Sequence, residues 1–110
     1  MADLYVATAQ RFEHNAIYLH ANPSRLDEEL RLIDLIRERT GDTYCLLVPG
    51  DATFGIPNGE KMVEFSCRLA DEPEQVKAEA AQRVDRAIAK AEKLAAHGGC
   101  DGFCMCADYC

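Results

Sequence analysis

The longest periodic stretch of the chain is an alanine-rich segment between Asp71 and Gly99. An acidic pair followed by Pro73 is typical of a first helical turn, and Gly98 with Gly99 is typical of a helix end. Between them, apolar residues recur every three or four positions, as they do on one face of an α-helix. The many alanines in this stripe favour close packing of a long helix on a sheet: Val76, Ala80, Val84, Ala87, Ile88, Ala91, Leu94 and Ala95.

A second helix is predicted earlier in the chain. Asn22 and Pro23 interrupt the preceding segment, and Ser24 with Asp27 resembles a capping box. Gly41 suits the residue that closes a helix, so we expect the helix to end near Arg39. Its apolar stripe consists of Leu26, Leu30, Ile33, Leu35 and Ile36.

Four segments have the composition of β-strands. Leu4, Val6 and Thr8 alternate with other residues, and the run from Ala16 to Leu19 predicts a second strand, although it could also begin a helix. The run from Tyr44 to Val48 is typical of a buried strand. From Met62 to Leu69 the chain alternates again, with one side formed by Val63, Phe65, Cys67 and Leu69.

This order predicts an α+β fold of the type ββαββα. We expect a two-layer sandwich of about four mainly antiparallel strands, with two helices on one face, in a domain over residues 1–97. A hairpin between the last two strands sets Cys45 opposite Cys67, which makes these residues a candidate cross-strand pair. In its exposed loop, from Pro49 to Gly59, Phe54 and Ile56 are candidate contacts for a partner.

The C-terminal tail, residues 98–110, is rich in cysteine. It contains a C-x3-C-x-C-x3-C array formed by Cys100, Cys104, Cys106 and Cys110. In the reduced state four thiolates could bind zinc, copper or an iron–sulfur cluster, with His97 as a candidate additional ligand. In the oxidised state the same cysteines could form two disulfides in any of three pairings, which would staple the tail to the domain.

The charge and the motifs restrict the function. A net charge of −7 argues against direct binding to nucleic acid or to anionic lipid. The chain has no segment apolar enough for a membrane helix and no apparent secretory signal, so we expect synthesis in the cytoplasm. No phosphate-binding loop, GxGxxG or GxSxG motif occurs, and we therefore expect no enzymatic activity.

These observations favour a small structural or interaction protein that works with a protein partner or in an oligomeric assembly. A phage or virion component with a cysteine-stabilised tail would combine cytoplasmic synthesis with an oxidised final location. One alternative is a cytoplasmic thiolate metal-binding or iron–sulfur protein. Another is an acidic inhibitor that blocks a basic nucleic-acid-binding partner.

Overall fold

A computed structural model describes residues 1–20, 25–50, 52 and 57–105 of the protein. Three strands form one sheet in the order β1-β2-β3, and both neighbouring pairs are parallel. This overturns the prediction of a mainly antiparallel four-stranded sheet with two helices. The elements are α1 (Ala2–Arg11), β1 (Ala16–Tyr18), α2 (Leu26–Thr40), β2 (Cys45–Pro49), α3 (Glu60–Asp71), α4 (Pro73–His97) and β3 (Gly102–Cys104).

The predicted first strand is a helix. Leu4, Val6 and Thr8 alternate, but Ala2, Val6 and Ala9 are also spaced as on one helix face, and these are the residues of α1 that become buried. Alanine has the highest helix propensity, and it occurs three times in this segment. Helical periodicity and composition therefore prevail over a short alternating pattern.

The predicted strand from Met62 to Leu69 is also a helix, α3. Its alternation is real, but glutamate, lysine, methionine, arginine and leucine all favour a helix over a strand. Without this strand there is no hairpin, so the expected placement of Cys45 opposite Cys67 is wrong. Cys45 lies in β2, Cys67 lies in α3, and both are exposed free thiols.

The other predicted elements are confirmed. Helix α2 and helix α4 end at the expected glycines, and β1 and β2 are strands. The predicted cap Ser24 lies outside the described residues. Within those residues, no helix has the length and apolar composition that crossing a membrane requires.

All three helices that contact the sheet lie on the same face. Both crossover connections step across the sheet in the same direction, from β1 to β2 and from β2 to β3. Parallel crossovers are almost always right-handed, so two steps in one direction place their helices on one side. The composition of the hydrophobic core supports this placement, because residues of α1, α2 and α4 pack there against alternate residues of β2 and of the segment that contains β1. The core residues are Ala2, Val6, Ala9, Ile33, Ile36, Leu94, Ile17, Leu19, Leu46 and Val48.

An ion pair joins α2 to α4 at the border of this core. Glu29 is only 2% exposed, and the Lys90 Nζ lies 2.8 Å from its Oε2 and 3.1 Å from its Oε1. A buried carboxylate needs a partner of opposite charge, since burial removes its hydration. This pair therefore fixes which faces of the two helices meet.

Arg37 and Asp101 fix the start of β3 beside β2. The Arg37 Nη2 lies 2.5 Å from the Asp101 Oδ2, and its other guanidinium nitrogens donate to the carbonyl oxygens of Gly41, Tyr44 and Gly99. The same Asp101 oxygen accepts a hydrogen bond from the Leu46 amide at 2.7 Å. One guanidinium group thus connects the end of α2 with the beginnings of β2 and β3.

Gly99 makes this connection possible. Its φ of +80° is unfavourable for residues with a side chain, and a Cβ there would lie 2.8 Å from the Ile33 Cγ2. The chain can therefore turn from α4 into β3 and still pass close to α2.

We predict that Arg37→Ala lowers the free energy of unfolding by about 2 kcal/mol, because the partly buried Tyr44 carbonyl, the carbonyls of Gly41 and Gly99 and the Asp101 carboxylate all lose a charged donor. Chemical denaturation near neutral pH measures this. The exposed Arg31, on the same helix, provides the control Arg31→Ala, which should change stability by less than about 0.5 kcal/mol. Equal effects of the two substitutions would contradict the proposed connection.

The same contact predicts a pH dependence. The hydrogen bond from the Leu46 amide, and then the Arg37 guanidinium, lower the pKa of Asp101 below its ordinary value of 3.8. The stabilisation by ionised Asp101 is therefore present above that value and is lost as the pH falls through the lower folded-state pKa. Asp101→Asn should destabilise the protein at neutral pH, and this effect should become smaller as the pH falls below 3.8; a pH-independent effect would contradict this.

Candidate functional site

One face of the sheet has no helix on it in the described part of the chain. Ile17, Leu46 and Val48 point into the core and are 3% exposed or less. The alternate residues point to the opposite side, where Cys45 is exposed and the others are partly buried. We call this side the uncovered face; it consists of Ala16, Tyr18, Cys45, Leu47, Pro49, Gly102 and Cys104.

The pairing of β2 with β3 supports this assignment. Leu47 is the register partner of Gly102, and a Cβ built on Gly102 would lie 3.3 Å from the Leu47 Cδ2. Gly102 therefore leaves room for the Leu47 side chain, which extends over the neighbouring strand. The uncovered face is apolar, apart from the Tyr18 hydroxyl and the two thiols.

A groove of about 440 Å³ runs between α1 and β1. We call it the α1–β1 groove. Strand β1 is at the edge of the sheet, and its only strand neighbour among the described residues is β2. The groove is lined by Met1, Leu4, Tyr5, Thr8, His14, Ala16, Ile17, Tyr18 and His20.

Helix α1 has two apolar stripes, and the larger side chains are on the stripe that faces the groove. The small residues Ala2, Val6 and Ala9 pack into the core. Met1 and Leu4 line the groove and remain 74% and 67% exposed. With about 100° of rotation per residue, the two stripes lie roughly a third of a turn apart. The helix is thus apolar both toward the core and toward the groove.

The helical hairpin formed by α3 and α4 also exposes apolar side chains. Helix α4 is 25 residues long, but its buried residues are Val76 near one end and Leu94 near the other. None of the residues of α3 is buried, and Arg68 of α3 pairs with Glu79 of α4. The exposed apolar residues of the hairpin are Met62, Val63, Leu69, Val84 and Ile88.

Cys100 is half-buried just before β3. Its Sγ lies 3.3 Å from the Gly102 carbonyl oxygen and 3.7 Å from that of Leu46, and its side chain packs against the core. Burial, together with the negative charges of Asp101 and Glu29, raises the pKa of the Cys100 thiol. Because the thiolate is the reactive form, the Cys100 thiol in this position is less nucleophilic than an exposed thiol.

The structure places Cys100 and Cys104 at opposite ends of β3. Cys100 lies beside Leu46, whereas the Cys104 carbonyl accepts a hydrogen bond from the amide of Gly50, which is four residues after Leu46 and directly follows β2. Four residues of extended chain span about 13 Å. Two thiolates on one zinc ion would be about 4 Å apart. The described part of the chain therefore does not bring these two sulfurs together.

Four of the other predicted site residues are not described by the structure. Cys106, Cys110, Phe54 and Ile56 lie outside the described residues, so a metal or disulfide role for the full array stays a prediction. Among the residues that are described, no group of three or more possible ligands could hold a metal ion. The His97 Nε2 lies 2.8 Å from the Asp34 Oδ1, which connects the end of α4 to α2.

No known protein family, curated protein or solved structure matches this chain. A function for this chain is therefore inferred from the geometry of its own surface. The sequence did not predict that Tyr18 and Leu47 lie on the same side of the sheet. The continuous apolar run of β2 was the available signal, because such runs are typical of parallel strands that are apolar on both faces.

We predict that Cys100 reacts with iodoacetamide several-fold more slowly than Cys45 and Cys67 in the folded, reduced protein. Its raised pKa and partial burial both reduce the accessible thiolate. Mass spectrometry of peptides from a labelling time course measures each site separately. In denaturant the three rates should converge, and equal rates in the folded protein would contradict the described environment of Cys100.

Proposed function

We propose that this chain is a non-enzymatic structural and interaction protein whose sheet is completed by another polypeptide in a larger assembly. The observation that carries the proposal is the uncovered face of the sheet. Parallel sheets occur almost only with both faces covered, and their strands are accordingly apolar on both sides. Here the helices cover one face, and apolar side chains occupy the other.

Two further observations support an interaction role. The α1–β1 groove continues the apolar surface around the edge of the sheet, and Ala16 and Tyr18 belong to both. Large apolar side chains also remain exposed on the helical hairpin, including Val63 at 67% and Ile88 at 51%. Exposed large apolar side chains are typical of surfaces that contact other proteins when they lie close together.

The substitution Leu47→Lys tests the proposal. Leu47 lies on the uncovered face, so a lysine there can extend into solvent and should reduce stability by only about 1 kcal/mol. In extracts of cells that produce the protein, size fractionation should place the wild-type chain in a complex and the Leu47→Lys chain at the mass of a free monomer.

Glu38→Gln is the matched control. It makes the same one-unit change in net charge on the exposed side of α2, far from the uncovered face, and it should leave the complex intact. Two results would contradict the proposal: a wild-type chain that migrates as a free monomer, or a loss of several kcal/mol of stability in Leu47→Lys. The second result would show that Leu47 is a core residue.

A further inference from the structure

We infer that helix α4 binds an amphipathic helix of a partner protein, which packs on a stripe of apolar residues and carries basic residues beside that contact. The inference goes beyond the proposed function, since it concerns a surface on a helix and not the uncovered face of the sheet. We call the stripe the α4 seam; it consists of Ala81, Val84, Ile88, Ala91 and Ala95.

The residues of the α4 seam have the spacing of a coiled-coil contact. They recur alternately after three and four residues, as the a and d positions of a heptad do. Because a helix turns by about 100° per residue, the five side chains lie within about 80° of each other, and the seam is about 21 Å long. The preceding positions of the same heptad are Glu74 and Lys77, which form an ion pair of 2.7 Å. The apolar seam therefore begins after them.

A different stripe of α4 packs against the rest of the protein. Val76 and Leu94 are 6% and 1% exposed, and Lys90 forms the ion pair with α2. On a helix these three residues lie about 100–140° away from the centre of the seam. The seam is therefore on the outer side of α4, where Val84 and Ile88 remain 46% and 51% exposed.

The shape of the α4 seam suits a second helix. Val84 and Ile88 project from its middle, and the other three residues are alanines. Small residues allow the backbone of a second helix to come close, and the larger side chains of that helix then fill the spaces over the alanines. A partner helix with leucine at its own a and d positions matches these spaces.

The free edge of the α4 seam is acidic. Asp85 and Glu92 are the e positions of its heptads, and both are exposed. The residues three and four positions before and after each of them are glutamine, alanine or isoleucine, so α4 itself places no cation beside either carboxylate. The g positions on the other edge include Ala80 and Ala87, which are partly buried. Lysine or arginine on a partner helix would pair with the two carboxylates.

The acidic edge disfavours a second copy of this chain as the partner. In an antiparallel pair of helices e positions face e positions, so Asp85 and Glu92 of one copy would lie against the same carboxylates of the other. In a parallel pair e positions face g positions, and each carboxylate would meet an alanine. Neither arrangement supplies a cation, whereas a foreign helix with basic flanks supplies one for each carboxylate.

The probe is a synthetic helical peptide of about 18 residues with leucine at a and d and lysine at e and g. A second peptide has glutamate in place of each of these lysines. Anisotropy of a dye on the peptide measures binding to the full chain, in about 0.15 M salt so that distant charges are screened. The lysine peptide should bind about fivefold or more tightly than the glutamate peptide, because pairs with Asp85 and Glu92 replace repulsions.

Val84→Gln and Val63→Gln form a matched pair of variants. Both valines are exposed on helices, at 46% and 67%, but Val63 belongs to α3 and not to the seam. Glutamine favours a helix, and neither valine is buried, so both variants should fold. Val84→Gln should weaken binding of the lysine peptide by about fivefold or more, and Val63→Gln by less than about twofold.

A second pair of variants tests the acidic edge. The double substitution Asp85→Asn with Glu92→Gln should reduce the preference for the lysine peptide to about twofold or less. Its control is Glu28→Gln with Glu38→Gln, which removes the same charge from exposed positions of α2. The control should keep the full preference, which separates the edge of the seam from the net charge of the chain.

The inference is overturned if the lysine peptide does not bind, if both peptides bind equally, or if either control variant acts like the variant it matches. A concentration-dependent dimer of the free chain that Val84→Gln disrupts would overturn it in favour of a second copy. The peptide measurements do not involve Leu47. Their failure would therefore leave the proposed function standing, and a failure of the Leu47→Lys test would leave this inference standing.

Discussion

The handedness of the two crossover connections determines most of this structure. Because both connections step across the sheet in the same direction, α2 and α4 come to lie on one face, and α1, which precedes β1, packs against α2 on that same face. The alternation of side chains along β1 and β2 then separates a buried set of residues from an exposed set. The core and the uncovered face therefore lie on opposite sides of the same sheet, and the core side is formed by β1 and β2.

Polar contacts at the sheet border keep this arrangement in register. Arg37 reaches from α2 to the start of β2 and β3, and the Asp101 carboxylate connects that guanidinium to the Leu46 amide. The pair formed by Glu29 and Lys90 aligns α2 with α4. These contacts lie on the helix side of the sheet or at its amino-terminal border. Most side chains of the uncovered face are therefore apolar and take no part in these polar contacts. Such a surface is suited to contact with another polypeptide.

The sequence predicted the long helices and the central strand because their patterns were long or strongly apolar. It did not predict α1, since Leu4, Val6 and Thr8 fit a strand period while Ala2, Val6 and Ala9 fit a helix period. β3 has only three residues, one of them a glycine, so it has no periodic pattern to recognise. The error in α3 had the largest effect, because it created a hairpin and so reversed the expected strand direction.

The candidate surface was harder to predict than the elements. Apolar residues on a strand suggest burial, and only the three-dimensional arrangement shows that no helix covers Tyr18 and Leu47 in the described chain. The regular spacing of the cysteines predicted a common site. An extended strand lies between Cys100 and Cys104, however, and it holds these two residues apart in space. The contact surface follows instead from topology, which depends on pairings between residues far apart in the sequence.

The most direct test of this account compares the methyl groups of Leu46 and Leu47 in the isolated protein. A soluble paramagnetic agent increases the relaxation of methyl protons that are close to solvent, and NMR measures each residue separately. The account predicts strong relaxation enhancement for Leu47 and almost none for Leu46, which is 0% exposed. Equal protection of the two residues would show that both faces of the sheet are covered within the chain itself and would contradict the account.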